Sequence, residues 1–144
     1  PSDLAPPYWI NMGAVAISTL AGTMLIANAG GGRSPVLQEL LPFLKGLTVA
    51  FWATATWWIP MLVILGVWRH VYERSPLRYD ALYWGAVFPL GMYAACTLRL
   101  SQAIEAPYLA NISRGFIWVA LAAWLVTSAG FIQHLSRQRG AAQA

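Results

Sequence analysis

Four stretches of the chain carry no Asp, Glu, Lys or Arg. They are Leu4 to Gly32 (29 residues), Gly46 to Trp68 (23), Ala81 to Leu98 (18), and Gly115 to Ser136 (22, with His134 near its end). A hydrocarbon core of ~30 Å is crossed by ~20 consecutive apolar helical residues. The four stretches therefore read as four spanning helices, at about 7–29, 42–71, 79–101 and 114–135. The period-two alternation of a membrane β-strand is absent, which argues against a barrel. Pro6 and Pro7 suit a first helical turn, and Tyr8 and Trp9 belong at a membrane interface. Gly30, Gly31 and Gly32 close the first helix. Ser34 to Lys45 is amphipathic, with Val36, Leu37, Leu40, Leu41 and Leu44 set against Gln38 and Glu39, as in an interfacial helix. Pro60 falls inside the second helix and Pro89 inside the third; from Ser136 the chain is polar and small, an end that frays.

Composition agrees with a lipid environment. Of 144 residues, 58% are apolar and 10% charged, against ~25% charged in a soluble domain. The mean hydropathy is +0.55. Disorder needs the opposite balance, and so few charges cannot cover the surface of a soluble domain of this size. The fold class is an all-α membrane protein, with 1–144 a single transmembrane segment of four helices in two hairpins. The net charge is +4, but the nine basic residues are scattered, so nucleic-acid binding is not indicated. The single Cys96 forbids an internal disulfide and reads as a small packing residue. The first stretch lacks the basic start of a secretory signal. The chain begins at Pro1, not Met, which suggests a fragment. Arg69, Arg74, Arg78, Arg137 and Arg139 fall on one side of the membrane and Arg33, Lys45, Arg99 and Arg114 on the other. That bias makes a multi-pass protein of the cell membrane with both termini cytoplasmic.

The interior of every stretch lacks ionisable groups, which membrane carriers and enzymes keep for function. His70 and His134 lie at helix ends, away from the mid-membrane positions that haem ligands take. No Ser/His/Asp set or glycine-rich phosphate loop is present, so no enzyme, cofactor or metal is expected. What remains is neutral. On helix one, Asn11, Ala14, Val15, Ser18, Thr19, Gly22 and Thr23 recur at i, i+3, i+4 spacing. Such a stripe serves tight helix packing or walls a narrow aqueous path. In helix three, Pro89 lies near the bilayer midplane, frees the carbonyl of Gly85 and bends the helix. Arg99 follows Phe88 by eleven residues, which places both on one face to within about 20° and ~16 Å apart. Ala81, Gly85, Met92 and Ala95 share that face.

The run Tyr83-Trp84-Gly85-Ala86-Val87-Phe88-Pro89-Leu90-Gly91-Met92-Tyr93, continuing to Arg99, resembles the ninth helix of the tellurite-resistance/dicarboxylate transporter family. That family lies in the voltage-dependent anion channel superfamily and includes the plant slow anion channels. The run from Tyr8 to Ser18 is similar to the seventh helix of the same family. The resemblance spans residues 8 to 135 and is most specific at 79–100. It implies the last four helices of a ten-helix, five-hairpin pore that assembles as a homotrimer. Helices one and three would line the pore, with Asn11, Ser18, Gly22, Gly85, Met92 and Ala95 on its wall. Phe88, aimed by Pro89, would be the gate, and Arg99 would make the anion mouth, with Arg114 on the same side. Helices two and four would lie outside, with Trp52, Trp57, Trp58, Trp68, Trp118 and Trp124 towards lipid or neighbouring subunits. Four helices cannot close such a pore alone, so a longer parent chain or several copies are required.

The expected function is passive transport of small inorganic or organic anions through a narrow neutral path, in which hydroxyls and backbone dipoles bind weakly enough to permit release. Two alternatives remain at this level: a proton-coupled carrier of C4-dicarboxylate, sulfite or tellurite, and a non-transporting membrane scaffold.

Overall fold

The computed structural model describes residues 8–31, 34–68 and 83–141, all of its regular elements being helical. In chain order they are α1 (Tyr8–Gly30), α2 (Pro35–Glu39), α3 (Leu41–Val67), α4 (Trp84–Ala103) and α5 (Tyr108–Ala141). Pro6 and Pro7, Arg33, the loop with Arg69, His70, Arg74 and Arg78, and the expected start of the third helix at 79–82 lie outside the described residues.

The amphipathic stretch after Ser34 divides. Pro35–Glu39 forms a short helix with no buried residue, and α3 restarts after Leu40 with Pro42 in its first turn. At the other end, α5 starts at Tyr108, six residues before the expected position, and runs through the polar tail to Ala141. The cause of the early start is a tight turn that the hydropathy pattern does not register. Glu105 takes φ 57°, and the Ala106 N–H donates to the Ser101 carbonyl at 2.9 Å, the left-handed closure that ends many helices. Pro107 then precedes α5, and Leu100, Ala106 and Leu109 bury together beneath the turn.

Three helices, α1, α3 and α5, are long and apolar enough to cross a membrane. The chain is an all-α membrane protein, and α4 stands apart within it. Its 20 residues span ~30 Å, but Tyr93, Thr97, Arg99, Ser101 and Gln102 leave it without the long apolar stretch that the other three hold. It is the helix most enclosed by its neighbours: Pro89, Leu90, Tyr93, Ala94, Cys96, Thr97, Leu100 and Ser101 are all buried. α1 packs against α3 on one side and α4 on another, while α5 packs along α4.

Close approach is set by two glycines of α1. A Cβ on Gly22 would meet all three side-chain atoms beyond the Cα of Thr48, two of them at 3.0 Å and Oγ1 closer still. A Cβ on Gly13 would stand 3.1 Å from Cγ of Pro89. The first lets α3 lie on α1 and the second lets α4 do so, as small residues do in membrane bundles. Gly22→Ala should therefore lower the melting temperature of the detergent-solubilised protein by several degrees, an overpacking cost of about 1–3 kcal/mol. Gly91→Ala, where a Cβ meets nothing within 4 Å, should leave it unchanged. Thr48→Ala beside Gly22→Ala should recover part of the loss.

Candidate anion-pathway site

The side chains that hold the bundle cluster on Tyr93, which is 1% exposed. Its hydroxyl pairs with Oγ1 of Thr56 at 2.8 Å. The indole of Trp52 stacks on its ring at 6.4 Å and 14°, and Phe116 meets it edge-on at 4.6 Å. The Trp52 Nε1–H donates to Oγ1 of Thr97 at 2.9 Å, and the Ser113 hydroxyl donates to the Ala94 carbonyl at 2.7 Å. Trp52 meets Thr97 while Thr56, one turn later, meets Tyr93 one turn earlier, so α3 runs antiparallel to α4. α5 is antiparallel to α4 as well, since Ser113 sits by Ala94 and Leu109 by Leu100.

Trp52 thus faces inward, against the expectation that it faces lipid or another subunit. Its N–H needs an acceptor, and in hydrocarbon only another helix supplies one. Trp57, Trp118 and Trp124 are exposed at 78%, 69% and 47%, the surface expected for an outer helix.

α4 turns its opposite side outward. Trp84, Phe88, Gly91, Ala95, Leu98, Arg99 and Gln102 are exposed and recur at three- and four-residue spacing. Phe88 is 57% exposed beside a buried Pro89 that seats on Gly13, so the contact with α1 aims the ring outward. Phe88, Ala95 and Arg99 share this face as the helical wheel predicts. Gly85 and Met92 lie at its edges, half-buried, with Met92 packed on the core around Tyr93.

α1 has a matching open face, on which Ile10, Asn11, Ala14, Ile17, Ala21, Leu25 and Asn28 are exposed. The small-residue stripe read from the sequence divides between this face and the packed one. Asn11 and Ala14 are open, Ser18 is half-buried, and Thr19 and Thr23 are buried. Gly22 turns to α3 instead of the open face, because α3 crosses α1 at Thr48. The hydroxyls are also committed to their own helix. Ser18 donates to Ala14 O at 3.1 Å, Thr19 to Val15 O at 3.0 Å and Thr23 to Leu20 O at 2.7 Å. A hydroxyl so engaged presents lone pairs outward, not a proton, and gives an anion no donor.

At one end the open face of α4 meets the side of α1 that carries the buried Thr23 and Ile26. There a cavity of about 440 Å³ is lined by Thr23, Met24, Ile26 and Ala27 of α1, by Arg99, Gln102 and Ala103 of α4, and by Leu41 and Lys45 of α3. Gly13 lies by Pro89 at the other end of the same contact, so α1 and α4 run in the same direction. Lys45 is a residue that charge counting alone could not bring to this place. Arg114 does not line the cavity. The early start of α5 carries it a turn and a half into that helix, next to Ser113, which lies by Ala94, and there it donates to Asn111 Oδ1 at 3.4 Å.

The match to known proteins follows this arrangement. The model of the voltage-dependent anion channel family covers residues 1–132. The chain belongs to that family. Among curated relatives, uncharacterized membrane proteins from two strains of Mycobacterium tuberculosis are each 43% identical over 140 residues, 97% of this chain and 70% of theirs. Two uncharacterized transporters of Methanocaldococcus jannaschii are 28% and 27% identical over 127 residues, 88% of this chain but only 35% and 34% of theirs. No solved structure matches. For this member of the voltage-dependent anion channel family, the open faces can be tested directly. Cysteines placed at Ala14 and Ala95 should react with a charged methanethiosulfonate reagent in liposomes, while a cysteine at Ala16 and the native Cys96, both 0% exposed, should not.

Proposed function

We propose that the chain forms part of a pathway for small anions across the cell membrane. The open faces of α1 and α4 supply a stretch of its wall, Phe88 obstructs it, and Arg99 makes its mouth positive. The observation that carries this reading is the pairing of Phe88 and Arg99 on one open face of an otherwise enclosed helix, in a chain of the voltage-dependent anion channel family.

The physics is simple. A carboxylate in the wall would repel an anion, and the described open faces of α1 and α4 carry none. The hydroxyls of Ser18, Thr19 and Thr23 hold their protons on backbone carbonyls, so attraction is concentrated at the mouth and the interior stays weakly binding, as throughput requires. Pro89 removes one helical hydrogen bond directly behind Phe88, which makes this turn the most deformable point of α4. Rotation of the ring opens the path. Further helices complete the wall, supplied by the rest of a longer parent chain or by further copies; a homotrimer is the assembly that the family resemblance implies. Both termini are placed in the cytoplasm, which sets the Arg99 end of the path outside.

The test is anion flux into liposomes carrying the full-length protein, with potential clamped and internal pH followed. Phe88→Ala should raise nitrate or chloride flux about tenfold or more without moving pH, and Arg99→Ala should lower it severalfold. Equal flux in Phe88→Ala and wild type, at equal incorporation, removes Phe88 from the gate. Flux that requires a proton gradient replaces the channel with the proton-coupled carrier of dicarboxylate, sulfite or tellurite.

A further inference from the structure

The cavity at the mouth holds two cations, and the proposal above uses one. Lys45 and Arg99 reach it from helices far apart in sequence, α3 and α4. Among the described residues, neither makes an ion pair or a hydrogen bond, and no acidic side chain lines the space. Like charges facing one volume repel. An anion between the two cations turns the repulsion into two attractions.

We propose that Lys45 and Arg99 together bind a polyatomic oxyanion in this cavity before it reaches Phe88, so that α3, an outer helix by resemblance, supplies half of the charge at the mouth. The inference rests on the anion-pathway reading and names the class of anion that its mouth selects. The donor set supports the class. An oxyanion offers several acceptor oxygens on different sides. One edge fits the planar fork of a guanidinium in a bidentate pair, another takes the ammonium, and the Gln102 carboxamide, which lines the same cavity, adds a neutral N–H donor.

The experiment uses the full-length protein in detergent with nitrate as probe and chloride as its monatomic control, binding being read as the rise in melting temperature with anion concentration. Wild type should respond to nitrate at lower concentration than to chloride. Lys45→Gln should raise the half-saturating nitrate concentration about tenfold, the weight of one charge-assisted hydrogen bond, and Lys45→Arg should restore most of it. In liposomes the same shift should appear in the half-saturation of nitrate flux and not in its maximum. An unchanged nitrate response in Lys45→Gln, or no response in wild type, overturns the proposal. Nitrate binding that depends on Lys45, with no flux in any variant, keeps the site and discards the pathway.

Discussion

A polar side chain can sit at membrane depth only if its own helix or a neighbouring one satisfies it. α4 imposes that constraint on the whole chain. Tyr93, Thr97, Cys96 and Ser101 all lie on its enclosed side, and the lipid offers them no partners. Thr56 and Trp52 of α3 take the first two, Ser113 of α5 caps the Ala94 carbonyl, and α1 covers what is left through Met12, Gly13 and Ala16. Interhelical hydrogen bonds in membranes are individually weak, about 0.6 kcal/mol on average. Their value here is positional. Each fixes the rotation of one helix about its axis, and the rotation of α4 decides that Phe88 and Arg99 emerge on the same open side.

Three of the four expected spans were legible because absence of charge over about 20 residues has one common physical meaning; the third in chain order, α4, is free of charge over 18 residues but not apolar enough to join them. The face shared by Phe88, Ala95 and Arg99 was legible for a similar reason, since helical geometry is rigid over three turns. The position of Gly22 was not. Whether a small residue faces a path or a neighbour depends on where α3 crosses, and that is a fact about Thr48. The start of α5 was hidden by a left-handed Glu105, a conformation with no hydropathy signature. The role of Tyr93 had a readable trace. Tyr93, Thr97 and Ser101 recur every four residues on α4, and Thr48, Trp52 and Thr56 do so on α3. Two polar stripes of equal period on apolar helices are a request for each other.

On the proposed pathway, attraction and conduction are separated along the open side. The cations sit at one end, with apolar walls around them. The stretch between them and Phe88 offers Ala95 and Gly91, surfaces that neither hold an anion nor repel it. This division avoids the deep binding well that a cation placed beside Phe88 would create, in which an ion enters readily and leaves slowly.

The common direction of α1 and α4 has an architectural meaning. Each is followed by an antiparallel partner, α3 or α5, so the chain is two hairpins that enter the membrane the same way. A hairpin of this kind is a module that can be repeated around an axis, each repeat adding one inner and one outer helix without disturbing those already present. Relatives of very different length share this stretch, which covers 70% of one and 35% of another.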